Sequence, residues 1–283
     1  MNYLIFPHLG LGDQLIMNGY IHYILETQKP QSISIITYDN YQNKTLEHLY
    51  SDVPTVKFYR IEHPAGRFTS FVESLNGKPF QSIVYLDSTP YCLLNFGCHS
   101  QYRCATLQGH SWADSFYLQG NLDPSYRFSY FKLPTNMKGS DELYERVIQK
   151  AGKDYILVND EPRSNRKLHQ PFLERLLKES GNKDLPLLYL GLGRYRFSLF
   201  EGLKNIDVSN ELQCESLLDL WKLIQNAKEC HFMDSSIACM TDLIKDSNSK
   251  LHLHAYATET VDPTHPIFVN RKWSIWYKED LPK

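Results

Sequence analysis

The sequence predicts an α/β protein of two domains, each built on a parallel sheet. Three observations predict it. Short apolar or β-branched runs alternate with helix-spaced segments from Tyr3 to Leu86. A polar passage from Pro134 to Ser140 interrupts that alternation, and it restarts at Tyr155. Strands alternating with helices are the signature of parallel βαβ units. A chain of 283 residues is long enough to bury two such cores. The division is placed at residues 1–145 and 146–283.

The first unit opens on Tyr3-Leu4-Ile5-Phe6, a glycine-punctuated turn, and an apolar-rich helix from Leu15 to Leu25. Ser32 to Tyr38 is a β-branched run typical of a buried strand. Asn40 to Leu49 reads as helix, Val56 to Arg60 as strand, Phe68 to Leu75 as helix and Ser82 to Leu86 as strand. Ser88 to Pro134 is rich in aromatic and polar residues. It reads either as an irregular packed region or as a cleft lining, where aromatic faces with polar tips suit a sugar or a base.

A helix from Asp141 to Ala151 leads into the second series. Its strands are Tyr155–Asn159, Pro186–Gly191, Cys230–Met233 and Leu251–Ala255, the last closing the sheet. Its helices are Gln170–Glu179, Cys214–Lys228 with Leu217, Leu220, Trp221 and Ile224 as the buried face, and Ser235–Ile244. Ligands of open α/β sheets bind at the C-terminal edges of parallel strands, so the loops there carry the candidate sites.

Composition narrows the function. With 30 basic and 32 acidic residues the net charge is −2, which gives no general field for nucleic acid. The apolar run near the start is broken by Pro7, Gly10 and Asp13, unlike a secretory leader, and no segment reaches the length of a transmembrane span. Six cysteines without such a leader read as reduced thiols, and Cys92, Cys98 and Cys104 lack the Cys-x-x-Cys spacing of structural zinc. The expected location is cytoplasmic.

Three loops can carry chemistry. In Pro7-His8-Leu9-Gly10-Leu11-Gly12-Asp13-Gln14 the glycines allow a tight turn and close approach of a ligand, and Asp13 sits at the helix entry. It can serve as a cap or as a reactive carboxylate. The third glycine of a dinucleotide fingerprint and the Gly-Lys-Ser/Thr of a P-loop are both missing. Asp234-Ser235-Ser236 follows a strand and opens a helix, which suits either a plain cap or a phosphate site. Asn159 to Lys167 carries Arg163, Arg166 and Lys167, which are either solvated or hold a diphosphate through charge-assisted hydrogen bonds. His252 and His254, alternating on one strand, read as structural or cleft-edge residues, and no metal site is expected.

The paired turns Gly10-Leu11-Gly12-Asp13-Gln14 and Asp234-Ser235-Ser236 resemble those of GT-B glycosyltransferases, especially the heptosyltransferase group. In that group the second turn is Asp-Ser/Thr-Gly-x-x-His; here Ser236 stands for the glycine and Cys239 for the histidine. Trp112 to Tyr117 and Asn159 to Arg166 are similar to glycosyltransferase-like proteins that open with His-Leu-Gly-Leu-Gly-Asp. A more distant likeness is to fucosyltransferases with a Gly-Leu-Gly-Asn turn. The chain contains no Asp-x-Asp, the metal-binding motif of the other main glycosyltransferase fold.

The resemblance implies two facing Rossmann-like domains with a cleft between them, residues 1–145 taking the acceptor and 146–283 the nucleotide-sugar. It implies inverting, metal-independent transfer from a GDP- or UDP-sugar to a glycan hydroxyl, with no tightly bound cofactor. Asp13 would be the catalytic base. Arg163, Arg166, Asp234, Ser235 and Ser236 would hold the donor phosphates. His8, Gly10, Gly12, Gln14, Trp112 and Asp114 would line the acceptor side. The rival readings are a sugar-nucleotide epimerase or hydrolase on a related scaffold, and a binding module that has lost catalysis.

Overall fold

The chain divides into two units, Met1–Asn136 and Met137–Lys283, and each has its own sheet. The computed structural model describes residues 1–7, 10–40, 42–62, 70–75, 77–96, 111–159, 168–190, 202–208, 210–233, 235–245, 247, 249–255, 272–277 and 280–281.

In the first unit the strands are β1 (Asn2–Phe6), β2 (Ser32–Tyr38), β3 (Val56–Ile61), β4 (Gln81–Leu86) and β5 (Thr89–Asn95). Their order across the sheet is β3-β2-β1-β5-β4. β1 pairs in parallel with β2 and with β5, and β2 with β3. β1 and β2 are buried almost end to end, as strands in the middle of a covered parallel sheet should be. The helices are α1 (Leu11–Ile16), α2 (Asn18–Gln28), α3 (Gln42–Leu49), α4 (Ser70–Leu75), α5 (Trp112–Gln119) and α6 (Tyr126–Ser129).

Three expectations are corrected here. The stretch after Ser88 begins with a strand, β5, lying beside β1 in the sheet. β4 is antiparallel to β5. Only Asp87 and Ser88 separate them, too few for a parallel crossover, and both take positive φ, 45° and 66°. The single helix expected from Leu15 to Leu25 is instead two runs, α1 and α2, meeting at Met17.

α2 lies close to α6. A Cβ on Gly19 would stand 2.6 Å from the Tyr126 carbonyl oxygen and 2.8 Å from the Tyr117 hydroxyl, so the approach requires glycine. The buried Asn18 side chain accepts from the Lys132 N–H at 2.9 Å. The segment after α6 is thereby tied back to the start of α2.

The second unit runs α7 (Lys138–Ala151), β6 (Ile156–Asn159), α8 (Gln170–Ser180), β7 (Leu187–Tyr189), β8 (Asn205–Ile206), a 3-10 turn (Leu217–Leu220), α9 (Trp221–Asn226), β9 (Glu229–Phe232), α10 (Ser236–Asp242), β10 (Lys250–His254) and β11 (Trp273–Trp276). The sheet order is β11-β10-β9-β6-β7-β8, and all five pairings are parallel. Ile156, Val158, Leu173, Leu177, Leu187 and Met233 form its apolar core beneath α8.

Two expectations change in this unit. β10 does not close the sheet, because β11 lies outside it in register from Leu251↔Trp273. The helix expected over Cys214–Lys228 is shorter and in two parts. Ser216 and Asp219 form a reciprocal capping box that starts the 3-10 turn at Leu217, and Ala227 is already extended. Leu217, Leu220 and Ile224 are buried as expected, while Trp221 is half-buried.

Candidate active site

In the first unit the site builds outward from the C-terminal end of β1. Gly10 is the N-cap of α1 and has φ −76° and ψ 145°, an extended conformation open to any residue. Its carbonyl accepts from the Gln14 N–H at 3.1 Å. Asp13 is the third residue of the helix and not its cap, and Gly10 offers no side chain for that role. A carboxylate in the first turn still faces the positive end of the helix dipole.

The Asp13 carboxylate is half-buried, and its Oδ1 accepts from the Trp112 indole Nε1–H at 2.9 Å. Two residues singled out separately in the sequence are thus brought together across 99 positions of chain. α5 places the indole. Ser111 Oγ accepts from the Asp114 N–H at 3.1 Å, and Asp114 Oδ2 accepts from the Ser111 N–H at 3.1 Å, a complete capping box. The other oxygen of Asp114 lies 4.0 Å from the buried Arg127 guanidinium. Asp114 therefore fixes the start of α5.

One turn further on, the buried Tyr117 hydroxyl donates to the Ile16 carbonyl at 2.8 Å and accepts from the Tyr20 N–H at 3.1 Å. Burial pushes this phenol's pKa up, so it keeps its proton. Gln14 points inward: its Nε2 donates to Thr37 Oγ1 at 3.4 Å, and the residue is buried. Gly12 is half-buried in the first turn of α1. His8 lies outside the described residues.

In the second unit the ends of β6, β7 and β9 converge on Asn159. Asn159 Nδ2 donates to the Leu190 carbonyl at 2.6 Å, and the Asn159 carbonyl accepts from the Met233 N–H at 3.2 Å. Ser235 Oγ donates to Asn159 Oδ1 at 3.5 Å and accepts from the Ala238 N–H at 3.4 Å, capping α10. Ser236 follows as the first residue of α10, half-buried. Arg163, Arg166 and Asp234 lie outside the described residues.

Sequence reasoning missed a polar network inside this unit's sheet. Glu229 and His231 alternate on β9 and face His252 and His254 of β10, with His252 in register with His231. The His231 and His252 rings stack at 4.4 Å and 4°. Trp276 Nε1–H donates to His252 Nδ1 at 3.1 Å. His231 Nε2 lies 3.3 Å from Glu229 Oε2, and His231 Nδ1 lies 3.1 Å from His254 Nε2. Neutral imidazoles satisfy this pattern when His254 donates to His231 and His231 donates to Glu229.

Burial lowers the pKa of all three rings, to about 3 for His252. Burial pushes the Glu229 carboxyl up, but hydrogen bonds from His231, Ser180 and Asn182 outweigh that and hold it down to about 2. Glu229, His231 and His252 place ligand-type atoms within 4.8 Å of one another, so they are the group that can hold a metal among the described residues. A metal would have to displace existing bonds, since both His231 ring nitrogens are engaged, by His254 and Glu229, and the indole N–H occupies the His252 Nδ1 lone pair. The alternation Glu-x-His and His-x-His was the available signal, but it does not disclose the register.

Comparison with solved structures decides the fold. The chain matches E. coli ADP-heptose lps heptosyltransferase II with a TM-score of 0.51 at 9% identity, over 98% of this chain and 90% of that one. It matches a glycosyl transferase of family 9 from Veillonella parvula with a TM-score of 0.51 at 8% identity, over 99% and 86%. The fold is that of the GT-B heptosyltransferases. No protein-family profile and no curated protein matches the chain. At such identities a heptosyltransferase fold leaves the chemistry to be argued from this chain's own residues. No described helix is long and apolar enough to cross a membrane. Cys92, Cys214, Cys230 and Cys239 are free thiols.

Proposed function

We propose that the chain is a glycosyltransferase moving a sugar from a nucleotide-sugar to the hydroxyl of a glycan. The observation that carries the reading is Asp13, a half-buried carboxylate held by Trp112 at the end of β1 in a heptosyltransferase fold. Asp13 takes the proton of the acceptor hydroxyl as that oxygen bonds to the anomeric carbon. The bond from that carbon to the diphosphate oxygen breaks, and the electron pair leaves with the nucleoside diphosphate. Arg163, Arg166, Ser235 and Ser236 stabilise the charge that develops there, so no step calls for a metal. One base and a direct displacement give inversion. The first unit takes the acceptor and the second the donor.

The relative heptosyltransferase II is named for ADP-heptose. ADP-heptose therefore joins the GDP- and UDP-sugars expected from the sequence as a donor candidate. The test is a thermal-shift panel of ADP-, GDP-, UDP- and dTDP-sugars, followed by turnover of the stabilising donor with glycan acceptors. One donor class should raise the melting temperature and be consumed only when acceptor is present. Consumption without acceptor would make the protein a hydrolase or epimerase, and stabilisation without turnover would make it a binding module.

A further inference from the structure

Asp13 alone does not explain why its carboxylate should point in one direction. It stands on a six-residue helix, α1, and an aspartate side chain turns about two bonds, so the direction of its carboxylate depends on what it is bonded to. One such bond comes from α5. The Trp112 indole has one N–H, can only donate, and spends it on Asp13 Oδ1 at a distance usual for a hydrogen bond to a carboxylate.

The indole is itself fixed at three points. Its ring packs edge-on against Phe116 with centroids 5.3 Å apart. The Ser111–Asp114 capping box sets the backbone on which Trp112 is the first helical residue. Tyr117 bonds the same helix to Ile16 and Tyr20, at the junction of α1 and α2. Asp13 and Ile16 belong to one helix, so α5 grips α1 through two side chains, Trp112 and Tyr117. Burying the Tyr117 hydroxyl is unfavourable unless it is bonded, and it is, while the half-buried indole N–H is bonded as well.

We infer that Trp112 is a positioning residue that sets the direction of the Asp13 carboxylate toward the acceptor hydroxyl, an inference that rests on Asp13 being the base. A reacting group must be aligned to within a fraction of an ångström, and a misplacement of about 1 Å costs roughly a hundredfold in rate. The Trp112 N–H supplies alignment through Asp13 Oδ1 and takes no part in the proton transfer itself. It also explains why a tryptophan rather than a phenylalanine begins α5, since packing on Phe116 alone would need only a ring.

The decisive substitution keeps the ring and removes the N–H: 3-benzothienylalanine at position 112, beside Trp112→Phe. With the donor found in the panel, turnover should fall about tenfold or more in both, while KM for the donor stays at the parental value and, in the benzothienyl protein, so does the melting temperature. Parental turnover in the benzothienyl protein overturns the inference. A second readout needs no activity. The Trp112 indole cross-peak in a proton–nitrogen spectrum, identified as the one lost in Trp112→Phe, should move in Asp13→Ala while the other three indole peaks stay. An unmoved peak shows that the bond does not form in solution, and overturns the inference on its own. Turnover retained by Asp13→Asn would instead defeat the base on which the inference rests, whatever the spectrum shows.

Discussion

The two sheets handle their polar side chains in opposite ways. In the first unit the central strands bury hydroxyls and an amide, at Ser34, Thr37 and Asn95, but no carboxylate or imidazole, and the reactive candidate sits half-buried beyond the end of β1. In the second, Glu229, His231, His252 and His254 lie within the sheet itself, facing neighbouring strands. Position decides what such groups can do. A carboxylate at a strand end can exchange a proton with a ligand. Rings buried among themselves hold fixed charge states, and changing those states costs stability rather than driving chemistry. On the proposed function the first arrangement serves chemistry and the second architecture, and substitutions should separate them.

The largest effect is expected at Asp13. Asp13→Asn keeps the size of the side chain and an oxygen for the Trp112 N–H but cannot take a proton. Turnover should fall by about a hundredfold to ten-thousandfold, the usual cost of losing a general base. The melting temperature should hardly change, because asparagine is nearly isosteric and Asp13 is not the N-cap of α1. A variant that unfolds early with its turnover intact would reverse the contrast between the two regions.

Acid should strike the other sheet. A histidine held neutral by burial binds its proton in the unfolded chain first. Its contribution is therefore whole above the ordinary value of about 6.5 and is lost as the pH falls toward the folded value. His252, His231 and His254 act in this direction, with Lys250 adding its positive charge near His252. Glu229 adds a further loss below about 4.5. For His252 alone, two pH units below 6.5 remove roughly 2–3 kcal/mol. Among the described residues the first unit has one such ring, His22, lowered to about 4 by burial and by Lys132. Hydrogen exchange followed from pH 7.5 to 4.5 should show β9 and β10 losing protection before β1 and β2. Simultaneous loss, or the reverse order, would contradict the comparison.

His231→Phe tests the same network at constant pH. The ring keeps its stacking partner, while Glu229 and His254 each lose a hydrogen-bonded neighbour. Leaving buried polar groups unpartnered costs about 1–3 kcal/mol each, so a destabilisation of roughly 2–4 kcal/mol is expected by urea unfolding. Part of the acid sensitivity should vanish with it. An unchanged midpoint would mean that the network contributes little beyond filling space.

Much of this was legible. β1, β2 and β6 are unbroken apolar or β-branched runs, and such runs announce buried strands whatever surrounds them. β5 was hidden because it opens on exposed Thr89 and Pro90 and turns apolar only from Cys92. β11 is a four-residue Trp-Ser-Ile-Trp segment far from its neighbour in sequence. Asp13 and Trp112 were each visible as candidates, but their bond was not, since nothing local reports a contact across 99 residues. Gly10 was read as easing a tight turn, and its own backbone is extended and open to any residue. The histidine network was half visible, because alternation gives the shared face while register comes only from tertiary pairing.

The smallest effect belongs to the edge of the first sheet, where β4 joins β5. Asp87 and Ser88 both take left-handed backbone values, φ 45° and 66°, in a two-residue hairpin of the I′ type. Aspartate tolerates that region through its short polar side chain, but serine gains nothing there, and glycine carries no steric penalty. Asp87→Asn with Ser88→Gly supplies the sequence this turn prefers. Glycine also loosens the unfolded chain, which offsets part of the gain. A net stabilisation of about 0.5–1 kcal/mol is expected as a higher urea midpoint with an unchanged slope. The pH dependence of β9 and β10 should stay as it was, because the hairpin lies in the other unit. A lower midpoint would show that the Asp87 or Ser88 side chain supports the turn in a way that backbone geometry alone does not require.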